Sequence, residues 1–215
     1  MKTTFKRIGA YIIDMFIILT IVTLFSKIEI LNPSKEEYNE IMTEYKEVYN
    51  DYMTGITDGN TNMEESITKL NDLSYKVSKY SVPTTIINIF VSIVYFVLFA
   101  YLNKGQTIGK KILGIKVVDN KTGKNPSFIK VLLRGIILYG YITSIASTLI
   151  LALTSKSTYL SSYTYLSFIE TTLLLLSFAF ILFREDTRGL HDLIAGTKVV
   201  KAKTISEEIK EIKWK

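Results

Sequence analysis

The sequence contains no cysteine, which excludes disulfide bonds, thiolate metal sites and thiol catalysis. It contains one histidine, His191, so a metal site would depend on carboxylates, and we expect no metal ligands and no cofactor. No pairing of a nucleophile with a base is evident in the sequence, so we expect no catalytic residues and no enzyme activity. The function is therefore sought among membrane, transport and binding roles.

Long apolar segments dominate the chain. Of its 215 residues 48% are hydrophobic, and a bilayer core needs about 20 helical residues to be crossed. Four segments are long enough: 8–25, 84–102, 128–153 and 165–183. The first resembles a signal peptide, but it contains Asp14 and is followed by "SKIEILN" rather than by a small-residue cleavage site. The sequence predicts an all-α integral membrane protein with four transmembrane helices, the first one retained.

The basic residues predict the orientation of these helices. They concentrate in the N-terminal tail, which together with the first span forms the domain 1–25, in the loop 103–127 and in the segment 184–215. The short loop 154–164 holds a single lysine. By the positive-inside rule, both termini and the loop 103–127 are cytoplasmic, in a multi-pass protein of the cell membrane. The net charge of +6 then indicates topology and contact with lipid headgroups. Nucleic acid is not needed to explain it.

The segment 26–83 is expected on the outer side and is acidic, with eleven Asp and Glu residues against six lysines. Ser34 and Glu37 have the spacing of a capping box at the start of a helix. Apolar residues then recur every three or four positions on either side of the turn "TDGNTN". The pattern predicts an antiparallel helical hairpin. Its Tyr/Met stripe either packs between the two helices or forms a groove for a ligand.

The expected cytoplasmic loops contain an amphipathic stretch and two similar segments. "GQTIGKK" (105–111) approaches a phosphate-binding loop, but its glycine spacing is one residue short and no strand precedes it. From Ile108 to Ile115, isoleucines alternate with Lys110 and Lys111, an amphipathic pattern that suits a helix at the headgroup level. "GIKVVD" (114–119) and "GTKVVK" (196–201) both alternate and are β-branched. They form either a small cytoplasmic sheet or two separate strands.

The C-terminal motif "FREDTRGLHDLIAG" predicts a helix over 188–194 that ends at Gly196. In such a helix Arg188 and Asp192 lie one turn apart and are expected to pair. His191 has two interpretations, a cytoplasmic pH sensor or a residue that hydrogen-bonds backbone near a helix end.

Charged residues inside the spans are costly and are expected to face the protein interior with partners. Arg7 and Asp14 are two helical turns apart, about 10 Å along the axis, so each is expected to meet another helix. Arg134 lies six residues into the third span and Asp14 six residues beyond the start of the first, so these two are expected to pair. Arg7 is expected to reach headgroups or the carboxylates Glu185, Asp186 and Asp192. Glu170 and Asn88 share a depth on the outer side and would extend a polar route across the membrane.

Arg7 with Asp14, "GQTIGKKILGIKVVD", "PSFIKVLLRGI" and "RGLHDLIAGTKVV", in this order, resemble the RDD family of small membrane proteins. The resemblance assigns the family's arginine to Arg7 and its two aspartates to Asp14 and Asp192. It covers the spans and cytoplasmic loops and leaves out the acidic segment 26–83. It implies transport, with sodium/proton exchange proposed for some relatives.

Three functional hypotheses follow. The first is a transporter in which Asp14 exchanges H⁺ for Na⁺ or another small cation; four spans are few for a pathway, so it implies a homo-oligomer. The second is a membrane scaffold whose outer hairpin binds another protein and whose Arg and Asp residues are structural. The third is a regulator that responds to lipid or pH through the lysine-rich loop and His191.

Overall fold

The structure is a computed structural model, and it describes residues 2–58 and 63–202. It is mostly helical, at 77%. The helices are α1 (Lys2–Phe25), α2 (Lys35–Asp58), α3 (Met63–Tyr80), α4 (Val82–Leu102), α5 (Ile108–Ile112), α6 (Phe128–Leu138), α7 (Tyr141–Leu153), α8 (Lys156–Phe183) and α9 (Leu190–Ala195). The strands are β1 (Ile115–Asp119) and β2 (Thr197–Lys201). The chain divides into two compact units, one of Met1–Ile21, Ile89–Ile142 and Ile169–Lys215, the other of Val22–Asn88 and Thr143–Phe168.

Three of the described helices, α1, α4 and α8, are long and apolar enough to cross a membrane. A fourth crossing exists if α6 and α7 together count as one span. The predicted continuous helix over 128–153 is wrong, because the chain bends by 61° between these two helices. Gly140 at the break has φ +60°, a left-handed conformation that glycine adopts without steric cost. Apolar residues on both sides conceal this break in the sequence.

The last span begins earlier than the sequence predicts. The segment 154–164 was expected to be a short loop, but α8 starts at Lys156 and runs without interruption to Phe183. The amide of Tyr159 already bonds to the carbonyl of Ser155, at 2.9 Å. Serine, threonine and tyrosine lower the hydropathy of these first turns without preventing a helix.

The second unit contains α2 and α3, which pack against each other. Lys69 on α3 pairs with Glu44 on α2 at 3.4 Å. Asp72 on α3 pairs with Lys156 at the start of α8 at 2.6 Å, and the rings of Tyr75 and Tyr159 meet edge to face. Residues 59–62 of the predicted turn lie outside the described residues.

The first unit contains the small sheet. β1 and β2 pair antiparallel, with Ile115 opposite Lys201 and Asp119 opposite Thr197. The two similar segments therefore form one sheet rather than separate strands. Its alternate residues Ile115, Val117 and Val199 are buried against Ala10 of α1. This packing places the loops around β1 and β2 beside the charged face of α1.

The C-terminal helix α9 begins at Leu190, two residues later than predicted. Gly196 ends it with φ +64°, as the sequence indicates, and β2 follows directly. Arg188 therefore precedes the helix, and Asp192 lies in its first turn.

Candidate functional site

Asp14 is buried in the first unit, with 1% of its surface exposed. Its Oδ1 accepts hydrogen bonds from the Tyr95 hydroxyl at 2.6 Å and from the Gly109 amide at 2.8 Å. Its Oδ2 accepts one from the Thr107 hydroxyl at 2.5 Å. The Lys110 Nζ atom lies 3.7 Å from the same oxygen. The carboxylate is thus held by two hydroxyls, one amide and one ammonium group, which we call the Asp14 site.

Local structure explains how these donors reach Asp14. Tyr95 lies in a π-helical stretch of α4, Val94–Phe99, a type of irregularity found frequently at functional sites. Thr107 caps α5, and its hydroxyl accepts from the Lys110 amide. A Cβ atom on Gly109 would lie 2.4 Å from the Ala10 carbonyl oxygen and 2.8 Å from Asp14 Oδ1. Only glycine allows α5 to come this close to α1.

Lys110 belongs to the Asp14 site and also lies near the positive charge of Arg134. Its Nζ donates to the Thr107 hydroxyl at 3.1 Å, and its side chain is only 12% exposed. Burial, followed by the nearby Arg134 charge, lowers the pKa of Lys110 to about 8, although Asp14 opposes this shift.

The second aspartate, Asp192, is completely buried and bridges two arginines. Its Oδ2 accepts from Arg7 and its Oδ1 from Arg134. Thr197 donates its hydroxyl to Oδ1 at 3.0 Å, and the Gly189 amide donates to Oδ2 at 3.2 Å. We call this group the Asp192 cluster. Arg7 also donates to the Thr187 carbonyl, so α1 is bound to the C-terminal segment at two points.

Two predicted ion pairs are not formed. Arg134 contacts Asp192 rather than Asp14, because α9 brings a carboxylate to α6 while α5 supplies donors to Asp14. The predicted pair rested on the similar depths of Asp14 and Arg134 in their spans, which takes no account of the short helices α5 and α9. Arg188 pairs with Asp186 at 2.7 Å rather than with Asp192, since it lies before the helix that was expected to align them. The expectation that Arg7 reaches a C-terminal carboxylate is confirmed by its contact with Asp192.

His191 lies beside the Asp192 cluster and is 1% exposed. Its Nδ1 is 2.5 Å from the Ser177 hydroxyl oxygen, and its Nε2 lies 3.4 Å from Arg7 Nη2 and from Asp192 Oδ2. Burial and the positive charges of Arg134 and Arg7 hold the pKa of His191 well below its usual value. The imidazole therefore stays neutral near pH 7. Among the described residues, the ring bonds to the Ser177 side chain and not to backbone, which one interpretation expected.

Glu170 on α8 and Asn88 on α4 are exposed side chains. Neither Glu170 nor Asn88 takes part in the contacts of Asp14 and Asp192 described above. The polar route that would include Glu170 and Asn88 stays a prediction.

Five contributing residues were not singled out as site residues from the sequence: Tyr95, Thr107, Lys110, Ser177 and Thr197. Four of them lie in "GQTIGKK" (Thr107 and Lys110) or inside an apolar span (Tyr95 and Ser177), where single polar residues are common. The available signal was the pair Thr107 and Gly109, a cap followed by a position without a side chain. Within the described residues, no group of three His, Asp or Glu side chains could hold a metal ion.

The comparison with family models matches residues 2–196 to the RDD family, a family of membrane proteins. The chain belongs to the RDD family. This RDD protein has several apolar helices long enough to cross a bilayer, so it is a multi-pass membrane protein. No curated protein and no solved structure matches it significantly. The match includes α1, α4, α5, α6 and α9, which carry Asp14, Tyr95, Lys110, Arg134 and Asp192, and it ends one residue before Thr197 of the Asp192 cluster.

Proposed function

We propose that this RDD protein is a membrane transporter that exchanges protons for a small cation, with Asp14 as the exchangeable carboxylate. A contrast between the two buried aspartates carries the proposal. Asp192 is bound by two guanidinium groups, which stay charged at any physiological pH. Asp14 is bound mainly by neutral donors, and the one cationic side chain that pairs with it within residues 2–58 and 63–202, Lys110, is 3.7 Å away. The charge of Asp14 is the less firmly neutralised of the two.

The position of Lys110 suggests how such an exchange would conserve charge. A buried carboxylate needs a counter-charge, because an unpaired buried ion is costly. The Lys110 ammonium supplies it in this conformation. A cation that enters would take over this role, and Lys110 would release one proton and become neutral, so that one positive charge leaves for each that arrives. The hydroxyls of Thr107 and Tyr95 would supply oxygen atoms beside it.

The topology belongs to the same proposal. Both termini and the basic loop 103–127 are placed in the cytoplasm and the acidic pair α2–α3 outside the cell membrane, on the positive-inside rule. Few spans are available to enclose a pathway, which favours a homo-oligomer. Small residues on α7, Ser144, Ala146 and Ser147, suit close helix contact.

The test is transport by purified protein in sealed liposomes that contain a pH-sensitive dye. A Na⁺ or K⁺ gradient is applied to wild type, to Asp14→Asn and to the control Asp186→Asn, which changes a surface aspartate in the same way. We expect a cation-driven pH change in wild type and in the control, and none in Asp14→Asn. Each protein is first checked for monodisperse folding. Absence of flux in folded wild type, or flux that survives in Asp14→Asn, contradicts the proposal.

A second candidate is a scaffold that binds a partner through α2 and α3. The specific observation is that these helices expose apolar side chains, Tyr49, Met53, Ile56, Met63 and Ile67, each between 42% and 49%. In this case cation flux would be absent from folded wild type. Deletion of residues 35–80 separates the candidates: a transporter formed by the remaining helices keeps its flux, whereas a scaffold loses its partner.

A further inference from the structure

A small cavity in the first unit lies beside the buried charges. Its volume is about 40 Å³, and its lining includes Arg7, Lys110, Arg134 and His191. The rest of the lining is apolar or aromatic, including Tyr11 and Phe178. Within the part of the chain that the structure describes, no carboxylate lines it. Among the described residues, the acceptor side chains of its lining are a neutral imidazole and the Tyr11 hydroxyl, whereas nitrogen donors are more numerous, which favours a negatively charged occupant.

The charge balance around the cavity points the same way. Arg7, Lys110 and Arg134 supply three positive charges, and Asp14 and Asp192 supply two negative ones, which leaves one positive charge when all five are ionised. All five residues are buried or nearly so. An uncompensated charge in such surroundings is costly, and a monovalent anion would neutralise it.

Donors remain available for that anion. Both hydrogen bonds that Arg134 makes within residues 2–58 and 63–202 start from Nη1, although a guanidinium group has five N–H donors. Lys110 donates one hydrogen bond, to Thr107, beyond its ion pair with Asp14. Both side chains line the cavity.

We infer that this cavity binds one small monovalent anion of halide size, such as chloride. A site for one water needs roughly 10–15 Å³, so a cavity of about 40 Å³ has room for a single halide ion. The inference goes beyond cation exchange at Asp14, although Lys110 serves both.

Bromide binding to the purified full-length protein in detergent tests this inference. Sodium bromide is titrated against sodium gluconate by calorimetry, so that Na⁺ stays constant and only the anion changes. We expect saturable binding of one bromide per chain. Lys110→Met should weaken it by about tenfold or more, the scale of one charge-assisted hydrogen bond. Lys111→Met, which alters the exposed neighbour outside the cavity, should change it less than twofold.

A second pair of variants tests the site without changing its charge. Val199 lines the cavity and Val200 does not, since alternate residues of β2 face opposite sides. Val199→Ile should weaken bromide binding by reducing the space, and Val200→Ile should not. This pair decides the question if Lys110→Met fails to fold. Heat without saturation, or equal affinity in Val199→Ile and Val200→Ile, overturns the inference.

Asp14→Asn separates this inference from the proposed exchange function. Removing a negative charge beside the cavity should strengthen bromide binding while it abolishes cation flux. Tighter bromide binding in a protein whose wild type shows no flux would support the anion site and refute the exchange proposal. Unchanged or weaker bromide binding in folded Asp14→Asn would count against the anion site, whatever the flux.

Discussion

Replacing Asp192 by asparagine is expected to leave two buried guanidinium groups without their counter-charge. Asp192 is fully buried, and the side chains of Arg7 and Arg134 are only 5% and 9% exposed. Removing one partner of a buried ion pair costs about 3–5 kcal/mol. Because both arginines lose the same partner, we expect Asp192→Asn to lower the free energy of unfolding by about 5 kcal/mol, at the upper end of this range.

The chain contains a matched control six residues earlier. Asp186 also bridges two arginines, Arg184 and Arg188, but its side chain is 39% exposed. Solvent screens such surface pairs, and Asp186→Asn should cost no more than about 1 kcal/mol. Equilibrium unfolding in mixed detergent micelles, followed by circular dichroism, measures both variants. Equal losses for Asp192→Asn and Asp186→Asn would refute the reasoning.

Three further predictions concern residues around the two aspartates. Gly109→Ala should destabilise the protein by about 1–3 kcal/mol, because its Cβ would lie 2.4 Å from a backbone oxygen. The Cβ of Gly9→Ala would meet a flexible side chain at 3.0 Å, so this variant should lower the free energy of unfolding by less in the same assay. The pKa of His191 is lower in the folded state than in the unfolded state, so the free energy of unfolding of wild type should fall by up to about 1.4 kcal/mol per pH unit below pH 6.5. In His191→Gln the free energy of unfolding should depend less on pH in this range. Lys110 binds protons less readily when folded, so stability should rise from pH 8 toward pH 10, and Lys110→Met should lack that component. A pH profile unchanged by either substitution would contradict the corresponding assignment.

The sequence predicted the parts of the fold that depend on regular patterns. Apolar length located α1, α4 and α8, and β-branched alternation located β1 and β2. The break between α6 and α7 was missed because Gly140 lies between two apolar runs, where a glycine is tolerated in a membrane helix.

The candidate site was predicted less completely, for a physical reason. Charges in an apolar segment are conspicuous, so Asp14, Arg7 and Arg134 were found from the sequence. The partners of Asp14 were not found, because hydroxyl and amide donors such as those of Tyr95, Thr107 and Gly109 carry no net charge and leave no mark in a hydropathy pattern. The contacts of Asp14 and Arg134 also depend on the short helices α5 and α9. The spacing of residues in the sequence does not determine where these helices lie.

Cation-induced proton release tests the central role of Asp14 most directly. Purified protein in weakly buffered detergent is titrated with sodium or potassium gluconate while the pH is recorded, so that no membrane or gradient is involved. The account predicts that wild type and Asp186→Asn release protons on saturable addition of the cation and that Asp14→Asn releases none. Equal proton release by folded Asp14→Asn, or none by folded wild type, would contradict it.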